Sequence, residues 1–409
     1  MFDVTSRPVI LCFVAYYLPG FRSGGPVRTI ANFVEHLGDV FDIRIVTGDR
    51  DVLDSSPYIN VVIDGWNTVG KAQVFYASSQ KLTLRGISRL LNNTPHDILY
   101  LNSFFAWSFT GLPLLARRLE LAPKAPCVIA PRGEFSEGAI ALKAWKKQIY
   151  LWIAKLFGLY DRLTWQASST FEVQDICRAF FLDKKKVVVA PDMPLKFSAD
   201  LQTEGSLADR RQDSALRVVF LSRISPIKNL DFALQALALV REQVRFTICG
   251  PIEDPSYWQI CKDLISELPR NISVTYQGQL HPDEVNARLK ENDLFFLPTR
   301  GENYGHVIIE ALAAGLPVLI SDQTPWRDLA ARGVGWSLSL HTHEHFAAQL
   351  DAVAKWSKER ALQASQLART YAIERLNDST IKEANRQLFW SVLSPSSEFS
   401  EPSVNGTEI

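Results

Sequence analysis

An excess of one charge is missing from this sequence. Lysine plus arginine and aspartate plus glutamate each number 44 among 409 residues. With no net positive field, nucleic acid is not expected as a partner. Long apolar runs are also missing. The apolar run over 9–15 is too short for a transmembrane helix, and no signal-peptide cleavage pattern accompanies it. Cysteine is sparse. The five residues Cys12, Cys127, Cys177, Cys249 and Cys261 contain no Cys-x-x-Cys pair. They read as reduced, buried thiols of a cytosolic protein rather than a disulfide framework. A Gly-x-Gly-x-x-Gly fingerprint is absent, so a nicotinamide cofactor is not expected. What remains is ample core-forming material, 47% hydrophobic against 22% charged, in a length that suits two domains.

The most informative stretch is 298–322, PTRGENYGHVIIEALAAGLPVLISD. A turn-rich loop follows the apolar run 294–297, then a helix of good formers over 306–314, then Gly315-Leu-Pro317 and a buried strand over 318–320. Strand, loop, helix and strand make a βαβ unit of a parallel sheet. Two carboxylates, Glu302 and Glu310, lie eight positions apart at the loop end, where open α/β sheets bind ligands. The free N–H groups of the helix start suit an anion beside them. Each glutamate alone also reads as a capping or solvated acid.

Gly301-Glu-Asn-Tyr-Gly305 followed by Glu310-Ala-Leu-Ala-Ala-Gly315-Leu-Pro317 resembles the Glu-x7-Glu segment of retaining GT-B glycosyltransferases of family 4. The resemblance implies an α/β fold of two Rossmann-like, doubly wound domains facing a cleft. It also implies that Glu302 contacts the transferred sugar of a nucleotide diphosphate sugar, with Asn303, Tyr304 and Gly305 beside it, and that Glu310 holds the ribose hydroxyls.

Other segments fit this frame. A strand over 9–16 leads through Gly24-Gly25-Pro26 into a helix over 27–37, and the glycine pair allows close approach of backbone to a ligand. In the family this loop faces the cleft near the diphosphate and acceptor, which makes Gly24 and Gly25 donor-binding candidates. Past a strand at 218–222, Arg223 and Lys228 stand five apart before a helix start, a cationic nest suited to a diphosphate. They match the family's Arg-x4-Lys-Asn segment, which implies that they offset the charge of the leaving diphosphate in place of a metal, so no cofactor and no metal are expected. Gln279 and Leu280 resemble the loop that lies against the nucleobase. The departure is at Pro131-Arg132-Gly133, where many members place a histidine against the donor sugar. Arg132 is the replacement candidate. It stays protonated, so it can stabilise an anion but cannot act as a base.

Three features carry competing readings. Asp49-Arg-Asp51 matches a metal-binding Asp-x-Asp but reads as a solvated loop. His341, His343 and His345 read as an exposed helix start rather than a metal cluster. Segment 139–162 interleaves lysines with Trp145, Tyr150, Trp152 and Leu156. It reads either as a helix packed on the first domain with a solvated basic face or as a basic amphipathic helix on an anionic membrane surface. The expected organisation is an acceptor-side domain over 1–195, a linker at 196–216, a nucleotide-sugar domain over 217–375, a helix at 376–394 crossing back to the first domain, and a disordered tail at 395–409. The expected activity is sugar transfer to a hydroxyl of a saccharide or lipid-linked acceptor in polysaccharide, lipopolysaccharide or glycolipid synthesis, in the cytoplasm or at the inner face of the plasma membrane. The alternatives are a catalytically inactive nucleotide-sugar-binding partner and a GT-B epimerase or phosphorylase.

Overall fold

A computed structural model describes residues 7–136, 140, 144–180, 182–196 and 215–394. Most of the expected linker and all of the expected tail lie outside them.

The strands sort into two sheets. In the first, β1 (Val9–Phe13), β2 (Asp42–Gly48), β3 (Trp66–Val69), β4 (Ala72–Ala77), β5 (Ile98–Asn102), β6 (Cys127–Ala130), β7 (Thr164–Ala167) and β8 (Val187–Val189) lie in the order β3-β4-β2-β1-β5-β6-β7-β8. Every pairing in it is parallel except the β3–β4 hairpin. In the second, β9 (Leu216–Leu221), β10 (Val244–Cys249), β11 (Ile272–Tyr276), β12 (Leu294–Leu297), β13 (Val318–Ser321) and β14 (Gly335–Leu338) run fully parallel in the order β11-β10-β9-β12-β13-β14.

Parallel strands need crossover helices, which cover both faces, so central strands lose the inside–outside alternation. All four residues of β12 are fully buried, as are Val218, Val219 and Phe220 of β9. Strand order reverses between β1 and β5 in one sheet and between β9 and β12 in the other. Loops leaving the carboxyl ends of such neighbours splay apart and leave a crevice. The loops after β1, β9 and β12 carry most of the functional candidates, while Arg132 follows β6 and Gln279 and Leu280 follow β11.

The helix Gly25–Leu37 shows how sequence makes these elements. Pro26 occupies the first turn, where its missing N–H costs nothing, and Val27, Ile30, Phe33, Val34 and Leu37 form a buried stripe at helical spacing. Gly24 precedes it with φ +67°, a conformation costly for any residue with a Cβ. At the other end of the chain, the helix Ser379–Leu393 packs on the first sheet. Phe389 is fully buried against Phe33, Phe41 and Tyr100, and Asn385 donates to the Pro191 carbonyl at 2.8 Å.

Several elements differ from the sequence reading. The β3–β4 hairpin and the helices Leu84–Asn93 and Pro255–Ser266 were not anticipated. Asp49 and Asp51 are not solvated. Both are buried, and Asp51 Oδ2 accepts the backbone N–H groups of Phe21 and Arg22 at 2.8 and 3.1 Å. The physical reason is that the 18–24 loop has unpaired donors that a buried carboxylate satisfies. Of the aromatic residues that follow β5, Phe104 and Phe109 are in the core and Trp107 is half exposed. The helix starting at His343 contains His343 and His345. The His343 ring stacks on Phe232 at 4.1 Å, and no metal-holding group of three His, Cys, Asp or Glu occurs among the described residues.

Candidate active site at the cleft

Three consecutive devices bring Lys228 and Glu302 together. The chain leaves β9, makes one 3-10 turn over Pro226–Lys228, and reverses at Asn229, which adopts φ +61°. Asn229 Nδ2 then donates to the Pro298 carbonyl at 2.9 Å, and its Oδ1 accepts Arg300 Nε at 2.8 Å. Thr299 Oγ1 and Arg300 N both donate to the Ile227 carbonyl, at 3.0 and 2.8 Å. The β9 and β12 loops are therefore sewn together by backbone as well as side chains. Glu302, held by its own N–H to the Gln323 carbonyl at 3.0 Å, forms an ion pair with Lys228. Both side chains are largely shielded, so the pair is screened less than a surface pair. Arg223 stands at the rim, half-buried, in an ion pair with Glu253 at 2.7 Å.

The helix His306–Ala313 begins after Gly305, whose φ of +80° places the chain so tightly that an added Cβ would meet Ile308 at 2.7 Å. His306 and Glu310 are four apart and share one face. That face meets the first sheet's helix Gly25–Leu37. Glu310 forms an ion pair with Arg28, and His306 Nε2 lies 2.9 Å from Thr29 Oγ1. Burial pushes the His306 pKa down to about 4, so the ring is neutral here. Asn303 also crosses the cleft. Its Nδ2 donates to Asp192 at 3.0 Å and its Oδ1 accepts Ser168 Oγ at 2.6 Å. Tyr304 turns the other way, its carbonyl accepting Trp326 Nε1 at 2.6 Å.

Asp192 is the hub on the opposite wall. It follows β8, is buried, and accepts Asn303, Thr29 Oγ1 at 3.2 Å and the guanidinium of Arg132 in an ion pair. Arg132 sits at φ +58° after β6 and also donates to Asn102 Oδ1 at 2.8 and 3.1 Å and to the Tyr100 hydroxyl. Its donors are thus turned into the first domain rather than toward open cleft. Beside it, the buried Glu172 accepts Gly133 N at 2.6 Å and Ser168 N at 2.7 Å, with its Oε2 also 2.7 Å from Ser168 Oγ. Burial raises its pKa.

The remaining candidates lie along the same crevice. An added Cβ at Gly24 or Gly25 would meet nothing within 4 Å, so both border open space. Gln279 and Leu280 lie between Gly278, at φ +75°, and His281, whose ring packs edge-on against Phe21 of the first domain at 5.2 Å. The structure thus brings Lys228, Glu302, Asn303 and Glu310 to one seam, with Arg223 at its edge. Sequence reasoning missed Arg28, Thr29, Ser168, Asp192 and His306. Position at the carboxyl end of a strand was the available signal for Asp192, and the first turn after the Gly-Gly pair for Arg28.

Comparison with known proteins gives a match over the second half of the chain. Residues 208–370 match the family Glycosyl transferases group 1. Over those residues the chain is similar to group 1 glycosyltransferases. A D-inositol 3-phosphate glycosyltransferase of Rhodococcus erythropolis is 27% identical over 54% of this chain and 53% of its own length. An alpha-monoglucosyldiacylglycerol synthase of Streptococcus pneumoniae is 26% identical over 44% and 42%. An uncharacterized glycosyltransferase of Methanocaldococcus jannaschii is 28% identical, and the matched stretch spans 39% of that relative's length. Among solved structures, Anabaena HepE in complex with UDP and glucose has a TM-score of 0.67 at 16% identity, covering 94% of this chain and 100% of that one. Sucrose-phosphate synthase from Thermosynechococcus elongatus has a TM-score of 0.69 at 16% identity over 96% and 100%. The glycosyltransferase fold GT-B, two facing α/β units, is therefore the fold of this chain.

Proposed function

We propose that this protein is a retaining glycosyltransferase that moves a sugar from a nucleotide diphosphate sugar to a hydroxyl of a saccharide or lipid-linked acceptor. The observation that carries the reading is the sewn pair of loops at the β9–β12 reversal, which places Lys228 against Glu302 with Arg223 at the rim. When the bond from the anomeric carbon to the diphosphate breaks, negative charge develops on the departing phosphate. Two fixed cations offset that charge without reorganising, and they allow turnover without a divalent ion. Glu302 orients the sugar and Glu310 the ribose. Arg132 cannot accept a proton, and in this reading the acceptor hydroxyl's proton passes to the departing phosphate oxygen as the new bond forms on the same face. The HepE complex with UDP and glucose, and the relatives named as a D-inositol 3-phosphate glycosyltransferase and an alpha-monoglucosyldiacylglycerol synthase, support a nucleotide-sugar donor and a polar or lipid acceptor.

We further propose contact with an anionic membrane at the cytoplasmic face. The helix Ala144–Leu156 turns outward a row at helical spacing, Trp145, Ile149, Trp152, Ile153 and Leu156, with both tryptophans about two-thirds exposed. Lys146 and Lys155 lie among them. An outward apolar row interleaved with lysines suits the headgroup boundary better than bulk water. No described helix is long and apolar enough to cross a membrane.

The deciding experiment measures nucleotide release from a panel of UDP-, GDP- and ADP-sugars, with and without EDTA, using membrane lipid extract as acceptor. Release from one donor, dependent on extract, unaffected by EDTA and lost in Arg223→Ala, is the expected result. A donor that binds tightly without release above background would favour the second reading, a nucleotide-sugar-binding partner without catalysis. The full engagement of Arg132 by Asp192 is the observation on that side.

A further inference from the structure

Glu310 has two claimants. Its position on the helix His306–Ala313 suits a ribose diol, yet one carboxylate oxygen is taken by Arg28 from the opposite sheet's helix. The other oxygen, Oε2, is buried with no hydrogen-bond partner. A carboxylate offers acceptor sites on both oxygens, and a diol fills them with two hydroxyls side by side. An ion pair serving stability alone would be expected to leave no buried acceptor empty, because the desolvation of that atom is then uncompensated. Here the arrangement is half-filled, with a mostly shielded guanidinium on one side and vacant acceptor capacity on the other. Burial also lowers the pKa of Arg28, so the guanidinium is partly desolvated where it meets the carboxylate.

The pair belongs to a seam. Thr29 with His306, and Asp192 and Ser168 with Asn303, close the same face beside it. All of these join the Glu302–Glu310 segment to the first domain, so a nucleotide lying between the two walls must part them.

We propose that Arg28 is an internal latch that competes with the donor ribose for Glu310, so that seating the nucleotide and releasing the first-domain wall are one event. The proposal rests on the assignment of Glu310 to the ribose. Donor binding then reports only the unlatched fraction of molecules, and apparent affinity is lower than intrinsic affinity by that fraction. The closed seam protects the empty site, and the donor itself supplies the two hydroxyls that replace the guanidinium.

Calorimetric titration of the full chain with UDP, GDP and ADP tests this. The nucleotide that binds the wild type should bind Arg28→Met about tenfold more tightly, with Arg28→Lys between them, because an ammonium makes a point contact where guanidinium makes a fork. Glu310→Gln should bind it at least about tenfold more weakly. Ligand-free Arg28→Met should also show a larger radius of gyration in solution scattering than the wild type. Equal or weaker binding by Arg28→Met, with Glu310→Gln weakened, would overturn the latch and leave the ribose assignment standing. Unchanged binding by Glu310→Gln would overturn the ribose assignment and the latch with it. Should Arg28→Met not fold, Arg28→Lys carries the same test, and affinity no tighter than wild type refutes the latch.

Discussion

Replacing Asp192 with alanine should destabilise the first domain far more than a surface change would. The carboxylate neutralises the shielded guanidinium of Arg132 and accepts from Asn303 and Thr29 as well. Removing one partner of a buried pair leaves an uncompensated charge and costs about 3–5 kcal/mol. For a domain of this size each kcal/mol lowers the melting temperature by about 2–4 °C, so the first domain's transition should fall by about 6–20 °C. Differential scanning calorimetry suits the measurement, because a chain with two separate sheets need not unfold in one step. Asp192→Leu combined with Arg132→Met should recover much of the loss, since a well-packed apolar pair replaces buried charges at little net cost. A fall below about 2 °C in the single variant, or no recovery in the double, would refute the idea that Asp192 exists to hold Arg132.

Glu302→Ala should lower turnover by about a hundredfold or more while the chain stays folded, and near-normal activity would remove Glu302 from the chemistry. Trp145→Glu with Trp152→Glu should weaken binding to anionic vesicles at least about fivefold in a flotation assay, and unchanged flotation would exclude that face as the membrane contact. His306, among Thr29, Asp192, Arg28 and Arg132, has its pKa lowered from 6.5 to about 4 by burial. Above 6.5 the ring is neutral in both states. Between 6.5 and about 4 only the unfolded chain takes the proton, so stability should fall with pH across that window and level off below it. Urea midpoints measured against pH should fall more steeply for the wild type than for His306→Asn, and parallel profiles would count against a buried neutral ring.

The 298–322 stretch announced its structure because one loop, one helix and one strand are specified by neighbours in the chain. Gly305 at positive φ and the run Leu294–Leu297 do locally what their types prescribe. The expectation of two Rossmann-like domains came from the resemblance to GT-B glycosyltransferases that this stretch carries. What stayed hidden depends on distant residues meeting. Asn303 and Asp192 are 111 positions apart, and Thr29 and His306 are 277 apart. No spacing rule reaches across such intervals. Asp49 and Asp51 misled for a related reason. Acidic residues at a strand end look solvated until the donors of the 18–24 loop are known to lie over them. In segment 139–162 the interleaved lysines and tryptophans suit both a packed and a membrane-facing helix, and the side each residue faces is decided by how the helix docks, with Leu151 and Ala154 inward and the tryptophans outward.

The packing of Phe389 on the first sheet has a consequence for the order of synthesis. The ring completes a cluster whose other members, Phe33, Phe41 and Tyr100, leave the ribosome hundreds of residues earlier. Until the helix Ser379–Leu393 emerges, those rings have a vacancy where an aromatic side chain belongs, and the Gln166 and Pro191 groups that meet Asn385 lack their partner. The first half of the chain therefore waits, incompletely sealed, through translation of the entire second sheet. A nascent chain stalled before Ser379 should remain a substrate for chaperones and proteases even though every strand of its first sheet has already been made.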